Sequence, residues 1–390
     1  MKSFLLLFLL GILVLFSCKT KTKENDLLKI ALSSEDPSIR KVVDSLSPYE
    51  VQILYTQIDR DADSIKLTDF SFQLNNNNYF YPASTVKFPI AVLALEKLNT
   101  IDSLNRNTKY YIEGDTIENT FAEDISKIFA ISDNHANNRL LEFQGQDAIN
   151  ENLREKGLSP VRISHRLGIH SSDLKTKPLI LYLNDSTTTS SIAINNTEPK
   201  ILELDNIQKG IGFYKEDSLY QEPFDFSYKN YYPLSTQHKL LKRVIFPMLF
   251  TKEQRFTITE DQREFLLEQM HTLPRNAGFL EEEYYDGYCK FFIYGDTKKK
   301  IPEHIKIYNK VGFAYGTLTD CAYITDTKNG VEFLLTATIL VNKNGIFNDD
   351  QYEYDEVGIP FLAALGREIY TLELNRRKNG KRSFTLKRSY

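Results

Sequence analysis

Tyr81-Pro82-Ala83-Ser84-Thr85-Val86-Lys87-Phe88-Pro89 and the apolar run from Ile90 to Leu98 decide how the rest of the chain reads. A serine stands three residues before a lysine. Val86, Ile90, Leu93, Ala94 and Lys97 then recur at helical spacing, so the segment is expected to be a buried helix. Three residues is nearly one helical turn, which puts Ser84 and Lys87 on one face, where they can meet. Pro82 and Ala83 suit an extended approach and place Ser84 at or near the helix N-terminus. Unpaired N–H groups and the positive dipole end favour developing negative charge there. Val86 and Phe88 would keep water from Lys87 and lower its pKa toward that of a usable base. Taken alone, a Ser-x-x-Lys spacing is equally the mark of an N-capped core helix with a surface lysine.

Two further motifs follow in order: Ser132-Asp133-Asn134, then Lys310-Val311-Gly312. Ser-x-x-Lys, Ser-Asp-Asn and Lys-x-Gly in this order form the signature of penicillin-recognising serine enzymes. From about Tyr49 to Asn375 the chain resembles the class A β-lactamases and the related DD-peptidases. Lys87 to Ala91 is similar to the nucleophile helix of some class A enzymes. Gly312 to Asp320 is similar to the strand and turn after their Lys-Thr-Gly. Each motif alone has a plainer reading, since Ser-Asp-Asn is a common helix start and Lys310 suits any edge strand. Their order on the expected elements favours the catalytic one.

The resemblance implies an α+β fold, an antiparallel sheet flanked by helices plus a helical lobe. It implies a Ser84 nucleophile, a Lys87 base, and Ser132 passing a proton to the departing nitrogen. Lys310 would sit near Ser132 and keep the local potential positive. Asn134 would bond the substrate amide and Lys87, Gly312 would let the strand approach closely, and the backbone N–H groups of Ser84 and Phe313 would form the oxyanion hole. Acyl transfer needs these four parts: nucleophile, base, proton relay and oxyanion hole. The expected substrate is a β-lactam or a related amide or ester. A cell-wall DD-peptidase or esterase of the same fold is the alternative within enzymes, and a non-catalytic cell-wall-binding lipoprotein the alternative outside them. Intact Ser84, Lys87, Ser132 and Lys310 speak against the last, because binding alone does not need a nucleophile–base pair.

Two positions depart from the family pattern. Val311 stands where the family has Thr or Ser, whose hydroxyl helps bind the substrate carboxylate. The stretch Val161 to His170, which matches the loop carrying the family's deacylating Glu, holds no carboxylate. Glu198-Pro199 resembles the family's Glu-Pro only superficially, because it lies inside an insertion over 173–232. That insertion reads as a structural annex, since loops lengthen at small entropic cost. The run from Pro82 to Lys87 also looks like the nucleophile motif of class D β-lactamases, whose carbamylated lysine serves both steps. Ser-Asp-Asn argues against that class.

The coarse layout is helix, strands, helices, strands, helix. Pro37 to Leu46 reads as a helix, and Val51 to Asp59 with Ser64 to Leu74 as a half-buried hairpin. Ile125, Ile128 and Phe129 mark a short helix, and a longer one is expected from about Ala136 to Lys156, stopped by Gly157. Ser235 to Phe246 and Thr259 to Met270 read as helices, the second opened by a capping box. Ile305 to Phe313, Thr319 to Asp326 and Val331 to Val341 read as strands, and Gly358 to Leu372 as a closing helix.

With 390 residues, 42% hydrophobic and 12% aromatic, the chain can bury a large core. A net charge of −4 gives no reason to invoke nucleic acid. No cofactor is implied; His165 and His170 lack a metal-ligand spacing, no His-Glu-x-x-His occurs, and a monomer is expected. Residues 1–17 read as a signal peptide, with an apolar stretch from Phe4 to Phe16 too short to span a bilayer. Leu15-Phe16-Ser17-Cys18 resembles a lipobox, making Cys18 the lipidated N-terminus of an exported envelope protein held to the membrane. Residues 18–36 follow as a polar linker, 37–375 as the hydrolase domain and 376–390 as a basic, solvated tail. Cys289 and Cys321 would form at most one disulfide. Cys18→Ala is expected to release the protein from the membrane fraction or stall its processing, as fractionation and the mass of the mature N-terminus will report.

Overall fold

The computed structural model describes residues 26–61, 64–169 and 173–379. Cys18, the signal peptide, His170 and residues 380–390 lie outside them. A five-stranded sheet forms the centre, in the order Ile305–Ala314, Thr317–Asp326, Val331–Leu340, Gln52–Asp61, Ser64–Phe72. Every neighbouring pair is antiparallel, in the register that sets Ile53 opposite Ala337 and Lys310 opposite Cys321. The early hairpin therefore completes a sheet whose other three strands come from the end of the chain, which makes the fold α+β.

The sheet separates two cores. On one face, Tyr55, Phe333 and Leu335 pack with the closing helix Ile359–Asn379 and the first helix Leu27–Leu32. On the other, Ile58, Leu334 and Cys321 join a helical lobe built around Lys87–Leu98. That helix is buried from Lys87 to Leu95, so it is hydrophobic all round and sits as a central axle. Helix Leu234–Ile245 lies over the lobe-facing side, where His238 is held between the hydroxyls of Thr56 and Thr336.

Several expectations need correction. Leu27, Leu28, Ala31 and Leu32 are buried in the core, so the folded part begins before Pro37 and residues 27–36 are not a linker. The basic segment begins inside the closing helix, with Arg376 paired to Glu373 and Asp59. The single helix expected from Ala136 to Lys156 is two helices, Asn134–Gln144 and Gln146–Glu155. They break at Gly145, whose φ of 80° and ψ of 146° only glycine adopts readily. Cys289 and Cys321 are free thiols in different cores.

The insertion divides in two. Leu179–Asn184 and Thr187–Ser190 form a hairpin that extends the Lys109–Ile112 strand. The remainder, from about residue 195 to 232, forms an annex with its own aromatic core. Phe226 and Tyr231 pack there on Tyr79 and Tyr81, just ahead of Ser84.

Gly145→Ala is expected to destabilise the protein by about 1–3 kcal/mol, because an L-residue is strained at that backbone. Its Cβ would also come within 3.0 Å of Asn196 Oδ1 and 3.1 Å of Ile194. Urea denaturation will measure the loss.

Candidate active site

Ser84 lies near the N-terminus of its α-helix, as expected, but just ahead of it. It lies in a 3₁₀ turn, Ala83–Val86, that leads into Lys87–Leu98. The approach is not extended: Pro82 is helical and Ala83 has φ 46°, a left-handed conformation costly for a residue with a Cβ. Backbone strain of this kind clusters at functional sites, and Ser132, with φ 59°, shows it again. The turn keeps Ser84 half-buried at the mouth of a cavity while Lys87 points beneath it.

The three motifs converge. Lys87 Nζ donates to Asn134 Oδ1 at 2.7 Å, to Ser132 Oγ at 3.3 Å and to the Ser132 carbonyl. Lys310 Nζ donates to Ser132 Oγ at 2.7 Å. One hydroxyl thus bridges two lysines, Lys87 45 residues away in the chain and Lys310 178 residues away. Asp133 fixes this geometry by capping the Asn134–Gln144 helix, its carboxylate accepting from Ala136 N at 2.7 Å. Ser84 Oγ makes no hydrogen bond among the described residues. Its pairing with Lys87 is the one expected contact not made, and such contacts often tighten only when substrate binds.

Burial drives the electrostatics. Lys87 is completely buried, and desolvation, with the nearby charge of Lys310 second, holds its amine well below the ordinary lysine range. Burial brings Lys310 down to about 8. A third buried lysine, Lys290, also falls to about 8; it donates to Asn309 Oδ1 at 2.7 Å. Asn309 in turn donates to Asp320, whose carboxyl burial raises to about 6. Nothing in the sequence marked Lys290, Asn309 or Asp320, because their spacing matches no motif.

Gly312 is required by its surroundings. A Cβ there would meet the Pro82 carbonyl at 2.7 Å and the backbone nitrogens of Ser84 and Thr85 at 2.9 Å. The strand and the Ser84 turn therefore touch backbone to backbone, and Phe313 follows on the cavity wall. Val311 is buried in the apolar core and does not line the cavity. No hydroxyl is available from that position.

The cavity measures about 380 Å³. Leu167 and Gly168 form its back wall, on the loop expected to replace the family's Glu-bearing one. That loop is pinned by Arg166, forked onto buried Glu142 at 2.5 and 2.9 Å, and by Asn138, which exchanges two hydrogen bonds with the Leu167 backbone. Gly168 has φ 70° and leaves room for Asn134, whose Nδ2 a Cβ would meet at 2.5 Å. Glu198 is exposed and lines no part of the cavity. Asp350 is the one carboxylate among the lining residues, with Tyr81, Tyr315, Tyr352 and Tyr354 around it. The sequence held no signal for Asp350, which sits on a polar turn far from any motif.

Residues 37–198 match the model of the Beta-lactamase enzyme family, a span that carries Ser84, Lys87 and Ser132. A β-lactamase from Xanthomonas campestris superposes with a TM-score of 0.51 at 15% identity, covering 89% of this chain and 97% of that one. A β-lactamase from Burkholderia ambifaria gives 0.49 at 14% identity over 84% and 95%. A class A β-lactamase from Mycobacterium abscessus gives 0.47 at 13% over 83% and 93%. No curated protein matches the sequence. The matched span is similar in sequence to that family, and the Xanthomonas campestris superposition shows that the chain shares its fold.

The expected role of Lys310 as a cation in Ser84 acylation predicts that its charge and the acylation rate fall together as pH rises through about 8. Below that pH Lys310 is protonated and the rate is retained. Lys310→Arg, which keeps its charge, should move the alkaline limb to higher pH in a stopped-flow acylation profile.

Proposed function

We propose that the protein is a serine hydrolase that forms an acyl-enzyme on Ser84, with a β-lactam or a related amide or ester as substrate. The observation that carries this reading is the Ser132 hydroxyl shared by Lys87 and Lys310 beside the Ser84 cavity. Neutral Lys87 takes the proton from Ser84 Oγ as the oxygen adds to the substrate carbonyl. Negative charge on the carbonyl oxygen is received by the backbone N–H groups of Ser84 and Phe313, each worth roughly 3–4 kcal/mol in such sites. The proton then passes from Lys87 through Ser132 to the departing nitrogen or oxygen, and the carbon–heteroatom bond breaks. Lys310 holds Ser132 in place and offsets the developing charge. The wider reading keeps the protein lipid-anchored at the envelope through Cys18, and leaves a cell-wall DD-peptidase or esterase as the alternative activity.

Water attack on the ester lacks a carboxylate at the back wall. A carbamylated Lys87 is a poor substitute, because the Ser132 carbonyl and Asn134 Oδ1 accept from this lysine and would repel a carbamate. Missing general-base assistance slows a step by about 10²- to 10⁴-fold.

Incubation with a fluorescent penicillin, followed by intact-mass measurement, is expected to give one adduct that maps to Ser84 and persists. Added bicarbonate should not hasten its loss. A label that survives Ser84→Ala refutes the assignment, and rapid turnover refutes the persistence.

A further inference from the structure

The annex encloses a second cavity, of about 570 Å³, lined by Phe213, Phe224, Lys215, Lys229, Tyr315 and Asn348 among others. Tyr315 and Asn348 also line the Ser84 cavity, so the two spaces abut across these residues. The annex is stitched to both rims of the cleft. On one side Gly212–Lys215 pairs with Ile346–Phe347, and Asn348 donates to the Tyr214 carbonyl at 3.1 Å. On the other, Arg162 of the back-wall loop donates to the carbonyls of Ser227 and Lys229. The second cavity is therefore a fixed extension of the cleft.

Lys229 distinguishes it. Its backbone is held at both ends, by Arg162 and by a bond from its own N–H to the Phe226 carbonyl at 2.9 Å. Its ammonium lies 5.9 Å from the Phe224 ring centre and has neither ion pair nor hydrogen bond among the described residues. Burial lowers its pKa, as expected for a cation left without a counter-charge. Lys215 and Glu216 are both exposed and of opposite sign. The Ser84 cavity differs: position 311 offers no hydroxyl, Asp350 lines the wall, and the nearby cation, Lys310, is already engaged by Ser132 Oγ and the Val311 carbonyl. An anionic group is thus better received in the annex than beside the nucleophile.

We propose that the annex cavity is a subsite for the far end of an elongated acyl substrate. The substrate's terminal carboxylate pairs with Lys229 while its arm lies against Phe224 and Tyr315. This rests on the reading of Ser84 as the acylated residue. A partly buried, otherwise unpaired cation gains more from a carboxylate than an exposed one does, because water screens it less.

The test uses three thioesters that differ only in the acyl arm: acetyl, para-carboxyphenylalkanoyl, and the carboxamide of the latter. Acylation of the full chain is measured as kcat/KM. Binding of the two long arms to Ser84→Ala is measured by anisotropy of a tagged leaving group. The carboxylate arm is expected to exceed the carboxamide arm by about tenfold or more in both measurements. Lys229→Met should abolish that preference while leaving the acetyl ester unchanged, and Lys229→Arg should keep it. Equal performance of the two long arms in the parent protein, or a preference that survives Lys229→Met, overturns the subsite. Acylation without preference defeats the subsite alone. Preferential binding without any acylation of Ser84 defeats the serine reading and leaves the subsite standing.

Discussion

The site depends on two buried lysines sharing the half-buried hydroxyl of Ser132. Two ammonium groups so placed cannot both be comfortable, and the conflict falls on Lys87, the more strongly shifted. The same burial that would be a cost in a structural pair lowers both amines, and Lys87 the further, which suits the proposed division into a base and a cation. The rest of the fold serves to maintain this arrangement. The central helix delivers Lys87, the capped helix start delivers Ser132 and Asn134, and an edge strand delivers Lys310.

Close backbone contact is the second requirement. Gly312 lies against the nitrogens of Ser84 and Thr85, and Gly168 leaves space for Asn134. Both are places where a methyl group would push apart the surfaces that define the cavity. Strained Ala83 and Ser132 sit at the same junction. The sheet, with a core on each face, supplies the packing that holds such strain in place.

Much of this was legible in the residues. Ser84, Lys87, Ser132, Asn134 and Lys310 were readable because each role accepts few residue types and their order fixes the topology. The Ser64–Phe72 strand showed through alternation, whereas Gln52–Asp61, which pairs on both sides, is buried rather than half-buried as expected; the Thr259–Gln262 capping box showed through its spacing. Other features were hidden for physical reasons. Gly145 breaks a helical pattern that continues on both sides, and glycine within such a pattern does not by itself end a helix. Phe224 and Phe226 find Tyr315 and Phe347 far along the chain, so no local pattern reveals the annex core. Asp350 enters the cleft through tertiary folding alone. The insertion, expected to be only an annex, also walls the cleft, because its partners are the residues flanking the nucleophile and the final strand.

Arg162 joins the annex carbonyls to the loop behind Ser84, and Tyr231 pairs with Arg162 through the backbone. Opening of the annex cannot occur without loosening that loop, so the two should exchange their amide hydrogens as one cooperative unit. A protease that nicks the exposed turn between Gly212–Lys215 and Ser218–Tyr220 would then loosen both together. It would disorder the wall of the cleft while the five-stranded sheet, pinned by separate contacts, stayed folded.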